Sequence, residues 1–337
     1  MKIAHVCTPH GFGHLTRQLA LGIELEHLCA SSTYYCHNAS IVKESHPNAK
    51  YIVKSADVGL IQKDSLHIDF DQTLRVLDDL CTEKKLQWWM EELAPYDAVI
   101  ADLPPIILEA CRRIQKPVLA VGNFDWAWIY RHYQPLKNWS KQWDKWQKGH
   151  VALSLSPGPA MEGFTILDTV SVISRPAEPY PVPSNGILLS FGGLGLADLN
   201  KIPRFSDVLW ILTPATPYIE RPDFRYISDV PYQNLIEGSE ILLSKAGYSI
   251  LSESMRSGTK QIWLHRSQFP EAPYLEEYAQ QREDILLYED LVTPTFADEL
   301  MDAIQKLRSK KTARIRVNEV SKAAQCIFQF FQKQLSH

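Results

Sequence analysis

The sequence predicts an α/β fold in which two Rossmann-like domains face each other across a cleft. Three observations carry that expectation. Short apolar runs alternate with helix-compatible stretches in both halves of the chain, the pattern of parallel sheets covered by helices. A glycine-rich loop follows the first apolar run of each half, at Gly11-Phe12-Gly13 and at Gly192-Gly193-Leu194-Gly195. Between them lies a proline-rich stretch, Arg175 to Pro183. Proline fixes φ and removes a backbone donor, so this stretch continues neither sheet nor helix and reads as a stiff hinge.

The elements follow in order. Ile3–Thr8, Tyr51–Val53, Ala98–Ala101, Val118–Val121 and Val151–Leu155 read as strands, with helical patterns over Leu15–Glu26, Thr73–Glu92 and Ile106–Ile114. After the hinge the expected strands are Ile187–Ser190, Val208–Leu212, Ile241–Leu243 and Gln261–Leu264, with a helix over Ile250–Ser257. A last helix, about Thr312 to Gln334, has no strand after it and is expected to pack back on the first domain. The expected boundaries are residues 1–175, a hinge at 176–185, a second domain at 186–320 and the terminal helix at 321–337. Ligands of doubly wound sheets sit at the carboxyl ends of the strands, so both glycine loops are expected to line the cleft.

Composition narrows the function. With 45% hydrophobic and 22% charged residues in 337, the chain is globular rather than disordered or coiled-coil. A net charge of −4 excludes polyanion binding through bulk charge. No apolar run approaches the roughly 20 residues of a membrane-spanning helix, and the six cysteines are scattered without a CxxC pair. These features predict a cytoplasmic protein with reduced thiols. HExxH, an acidic DxD pair and GxSxG are all missing, so neither a metal nor a serine nucleophile is expected.

His14 follows Gly13 at a strand-to-helix turn, where a loop histidine can transfer a proton or contact a phosphate; the alternative is a tight turn with a capping histidine. In the second half, Ser244 to Glu253 leaves an apolar strand and opens a helix. Gly247, Tyr248 and Ser249 would offer amides to a diphosphate, and Lys245 or Arg266 a cation. Gly192 and Gly193 could close on the same group. Glu253, one turn on, could take ribose hydroxyls, and Glu271 lies in a polar loop suited to a sugar. Asp102 and Asp125 both end strands and are candidate bases, with helix capping the plainer reading of each. The Trp139, Trp143, Trp146 stripe, interleaved with lysines, reads first as an amphipathic core helix with a solvated face; the alternative is that Trp126, Trp139 and Trp143 serve an acceptor. With the basic run Lys306–Arg316 the stripe would suit an anionic acceptor, either a membrane surface or nucleic acid.

These segments together resemble the GT-B glycosyltransferases. The resemblance is carried by His10–Arg17, Ala101–Pro105, Asn123–Trp126, Ser190–Gly193, Ser244–Glu253 and Phe269–Leu275, which span most of the chain in order. It is nearest to the glycosyltransferase-like N-terminal domain of plant L-arabinokinase and its stand-alone bacterial relatives, without the sugar-kinase half. More distantly the chain is similar to the transferase that adds N-acetylglucosamine to the peptidoglycan lipid intermediate. That resemblance implies an acceptor side at the Gly13-His14 loop, a diphosphate cradle at Gly247–Ser249, a ribose contact at Glu253, a base-side stretch at Asp229-Val230-Pro231 and a donor-sugar loop at Glu271. The Gly13-His14 loop also resembles the nucleotide-sugar hydrolase of pseudaminic acid synthesis, in which water is the acceptor.

The resulting expectation is a metal-independent, inverting glycosyltransferase. It would use a nucleotide-diphosphate sugar as donor, no other cofactor and no protein partner, with His14 as first choice of base. A nucleotide-sugar hydrolase and a non-catalytic sugar-nucleotide-binding module are the alternatives.

Overall fold

A computed structural model describes residues 1–10, 12–63, 67–191, 199–213, 216–265, 269–288, 295–310 and 316–336. The chain divides into two units. The first comprises residues 1–61, 68–175 and 318–337, and the second residues 62–67 and 176–317.

The first unit runs β1 (Lys2–Cys7), α1 (Gly13–His27), β2 (Ser31–Cys36), α2 (Ala39–Ser45), β3 (Lys50–Val53), α3 (Phe70–Leu80), α4 (Glu83–Leu93), β4 (Ala98–Asp102), α5 (Pro105–Arg113), β5 (Val118–Gly122), α6 (Trp126–Arg131), α7 (Lys137–Gln147), β6 (Val151–Leu155) and β7 (Thr165–Val170). Its strands are parallel in the order β3-β2-β1-β4-β5-β6-β7. The order reverses between β1 and β4, which pair with Cys7 opposite Asp102. At such a switch point the loops leaving two neighbouring strands diverge, and a ligand-sized crevice opens at their carboxyl ends.

The second unit contains β8 (Gly186–Ser190), β9 (Leu209–Leu212), β10 (Phe224–Tyr226), α8 (Tyr232–Gly238), β11 (Ile241–Lys245), α9 (Tyr248–Ser257), β12 (Lys260–Leu264), α10 (Ala272–Gln280), β13 (Ile285–Tyr288) and α11 (Phe296–Ser309). Its parallel order is β10-β9-β8-β11-β12-β13, with the switch between β8 and β11, where Ser190 lies opposite Ser244. The last helix, α12 (Val320–Leu335), belongs to the first unit. Its Val320, Ala323, Ala324, Ile327 and Phe331 join Leu21 and Leu25 of α1 in that unit's buried core. Glu319 fixes its start by accepting hydrogen bonds from the backbone and hydroxyl of Ser171 at 2.5 and 2.9 Å.

Several elements depart from the sequence reading, strands β7, β10 and β13, which were not expected, among them. The helix expected over Thr73–Glu92 is two helices, because the Thr82 hydroxyl accepts from the Lys85 amide and caps α4 as a new start. The last helix begins at Val320 rather than near Thr312. Strand β2 was not expected from its polar composition, Ser31-Ser32-Thr33-Tyr34-Tyr35-Cys36, yet it is an interior strand with Tyr34, Tyr35 and Cys36 buried. Among the described residues no helix is long and apolar enough to cross a membrane.

Candidate functional site

In the first unit, the residues around the β1–β4 switch point converge on one carboxylate. Asp102 is the last residue of β4 and is fully buried. The loop after β1 turns at Gly13 into α1, which places His14, Arg17 and Gln18 at i, i+3 and i+4 on one helix face. His14 Nδ1 lies 2.6 Å from Asp102 Oδ1. Arg17 donates from Nη2 to Oδ1 at 2.7 Å and from Nε to Oδ2 at 2.9 Å. Gln18 donates from Nε2 to Oδ2 at 3.0 Å. An ionised carboxylate has about four lone-pair positions, and these four contacts occupy them.

The network assigns the histidine tautomer. Asp102 is held down to about 2, because Arg17 and His14 together outweigh the upward push of its burial. It is therefore an anion that accepts only, and His14 must donate from Nδ1. That leaves a lone pair on Nε2, to which no hydrogen bond is made among the described residues. Burial lowers the His14 pKa below its ordinary value, and attraction to Asp102 offsets this only in part. A neutral imidazole anchored by a carboxylate is the arrangement of a general base. Phe124 and Trp126 approach the His14 ring at 6.2 and 6.4 Å between centroids and line its surroundings with apolar surface.

The other predicted residues of this unit have different surroundings. Asp125 accepts from the Trp128 amide at 2.7 Å and from Gln147 Nε2 at 2.9 Å, so its carboxylate caps α6 and ties α6 to α7. Trp143 and Trp146 are buried, at 1% and 8% exposure, and lie in one row with half-buried Trp139, their neighbouring rings tilted at 4.9 and 5.3 Å between centroids. That placement fits the amphipathic core-helix reading of the stripe and corrects the assignment of Trp143 to an acceptor, since Trp143 is buried and packs on Tyr130 of α6. Trp126 is likewise buried at 2%.

In the second unit, Lys245 ends β11 and α9 begins at Tyr248 with Gly247 as its N-cap and no side chain capping it. The first-turn amides, those of Tyr248 and Ser249 included, have no intrahelical acceptor, as at every helix start. A Cβ built on Gly247 would meet nothing within 4 Å among the described residues. Glu253 is buried on α9 at 4% exposure. Glu271, buried, precedes α10 and lies near Ala246, Phe269, Ala272 and Leu275, beside the Gly247 turn. Val230 packs with Tyr232 against the apolar cluster of Leu235 and Ile236, after Asp229 in a left-handed conformation, φ 59°. Gly192, Gly193, Arg266 and part of the basic run, residues 311–315, lie outside the described residues. Among the described residues no group of three or more His, Cys, Asp or Glu is placed to hold a metal ion.

Sequence reasoning missed the roles of Arg17, Gln18 and Asn123. The spacing of Arg17 and Gln18 behind His14 was the available signal. Asn123 accepts from Arg17 Nη1 at 2.7 Å and is itself anchored by donating to the carbonyls of Leu155 and Pro157.

No protein-family model matches the chain. L-arabinokinase of Arabidopsis thaliana is 23% identical over 82% of this chain, which spans only 29% of that protein's length. Among solved structures, the spinosyn forosaminyltransferase SpnP matches the whole of both chains with a TM-score of 0.65 at 12% identity. The glycosyltransferase VinC, solved in complex with DTDP, matches 100% of this chain and 95% of its own with a TM-score of 0.59 at 14% identity. Two parallel α/β sheet units in this order, aligned along their full length with such enzymes, give the chain the fold of the GT-B glycosyltransferases.

Proposed function

We propose that this chain transfers a sugar from a nucleotide-diphosphate donor to an acceptor hydroxyl, with inversion and without a metal ion. The observation that carries the reading is the His14–Asp102 pair at 2.6 Å with Nε2 left open, at the switch point of the first sheet. In the proposed step His14 Nε2 takes the proton of the acceptor O–H. The oxygen attacks the anomeric carbon, and the bond from that carbon to the diphosphate oxygen breaks with its electron pair leaving on the diphosphate. Asp102 stabilises the imidazolium that forms. The leaving diphosphate is received by the amides of Gly247, Tyr248 and Ser249 and the positive end of α9; Gly192 and Gly193, with Lys245 or Arg266 as cation, complete the proposed cradle. Glu253 is assigned to the ribose, Val230 to the base side and Glu271 to the donor sugar.

Support for the donor class comes from the turn at Gly247, which among the described residues has no side-chain cap and no atom within 4 Å of a Cβ built there, and from the DTDP bound by the structurally similar VinC. The acceptor hydroxyl is assigned to the apolar surroundings of His14 in the first unit.

The test is His14→Ala. Turnover of a nucleotide sugar should fall by about 10²–10⁴-fold, the usual worth of a general base, while calorimetry shows nucleoside-diphosphate affinity unchanged. Unaltered turnover would remove His14 from the chemistry. Product analysis with donor alone separates transfer from hydrolysis, since stoichiometric, rapid free sugar identifies water as the true acceptor.

A further inference from the structure

The Asp102 carboxylate does not serve His14 alone. Arg17 grips both of its oxygens, and a third guanidinium nitrogen is fixed on Asn123, so the fork is immobilised from β5 as well as β4. Gln18 holds Oδ2 from the other side, and its own carbonyl oxygen lies 2.9 Å from His5 Nδ1, whose Nε2 lies 3.2 Å from the Ser32 hydroxyl. Asp102 and His5 are fully buried, and the Arg17 side chain is only 10% exposed.

We infer that Arg17 is a positioning residue of the proposed base: its two-pronged grip orients Asp102 to receive His14 Nδ1–H and, added to the effect of burial, offsets part of the carboxylate's pull toward an imidazolium. This role rests on the transferase reading above. In a plain histidine–carboxylate pair the protonated state is stabilised by a full negative charge. Here the nearby guanidinium, with Nη2 3.1 Å from His14 Nδ1, opposes that protonation. Burial and the guanidinium thus both favour the unprotonated imidazole, ready to accept a proton. The other titratable groups around the cluster are His5 and Cys7 on β1, Asp57 beyond β3 and His37 beyond β2. The Asp102 charge is felt by His5, Asp57 and Cys7, and His37 feels that of His14.

The experiment is an imidazole titration of the full chain, labelled with ¹⁵N and read by long-range proton–nitrogen correlation. The parent His14 should carry its proton on Nδ1 and titrate below the ordinary 6.5. Arg17→Met should raise that midpoint by about 1–2 pH units, the usual effect of changing one charge at this range. Arg17→Lys, which keeps the charge, should restore a midpoint near the parent's. Equal midpoints in the parent and Arg17→Met would overturn the inference. Should Arg17→Met not fold, the parent decides alone: a midpoint above 6.5, or a proton on Nε2, overturns the inference. The readout needs neither donor nor acceptor, so its outcome is independent of whether the transferase reading survives.

Discussion

Replacing Asp102 by asparagine perturbs the proposed site with no change in side-chain shape. The native carboxylate accepts four N–H groups, two on each oxygen. An asparagine keeps one accepting oxygen and sets an NH₂ group against two donors whichever way it flips. With the amide nitrogen toward His14, the imidazole must accept at Nδ1 and carry its proton on Nε2, and the base is lost. In the other orientation the nitrogen faces Arg17 Nε and Gln18, and the imidazolium formed in the reaction has no anion beside it. In either case Arg17 is a largely buried cation without its counter-charge. Breaking a buried pair in this way costs about 3–5 kcal/mol of stability. Turnover should fall about 10³–10⁴-fold, the range seen when the carboxylate behind a catalytic histidine is neutralised. A second signature is pH dependence. The Asp102 pKa is lowered from 3.8 to about 2, so its contribution, about 2–3 kcal/mol, is present above pH 4 and is lost as pH falls through 2. Urea unfolding at pH 7 and pH 3 of parent and variant, together with donor turnover at pH 7, measures all three quantities. Turnover within tenfold of the parent, despite the expected loss of stability, would refute the assignment of Asp102 to the base.

Three further outcomes are expected. Gly247→Ala should leave stability within about 1 kcal/mol, since the position has extended φ (−173°) and a Cβ meets nothing within 4 Å; calorimetry should nevertheless show weakened nucleoside-diphosphate binding, and unchanged affinity would move the diphosphate elsewhere. Burial pushes the Asp57 pKa up from 3.8 to about 7, so the folded state holds a proton that the unfolded chain releases. Its contribution is fully present below pH 4 and is lost as pH rises through 7. Asp57→Asn should thus gain about 4 kcal/mol relative to the parent between pH 4 and pH 8 in urea unfolding, and parallel pH profiles would contradict the buried acid. Trp143→Ala should cost about 3–5 kcal/mol by the same measurement, and a loss under 1 kcal/mol would return the tryptophan row to the surface.

Much of the fold was legible because local patterns and long-range packing agree. Alternating apolar runs marked most strands, and the glycine turns marked where α1 and α9 begin. Strand β2 escaped because its serines and tyrosines look like surface, whereas their backbone pairs on both sides with β1 and β3. The site was legible in parts. His14 could be singled out from its place after Gly13. Asp102 could be named but not paired, since 88 residues separate it from His14 and only the adjacency of β1 and β4 brings them together. Capping was the plainer reading of both aspartates, and it describes Asp125 but not Asp102: the N-cap of α5 is Pro104, and no side chain caps that helix. The tryptophan row shows the opposite problem. Helical spacing of aromatics is identical for a core face and a ligand platform, and only the packing of α6 against α7 distinguishes them.

The account stands or falls on sugar transfer itself. The direct measurement incubates parent, His14→Ala and Asp102→Asn with nucleotide-diphosphate sugars carrying ¹³C at the anomeric carbon and a panel of hydroxyl acceptors, and follows the anomeric signal. The account predicts that at least one donor is consumed by the parent with inverted configuration in the product and that both variants are slowed by two or more orders of magnitude. Consumption at equal rates in all three proteins, or a product of retained configuration, contradicts it.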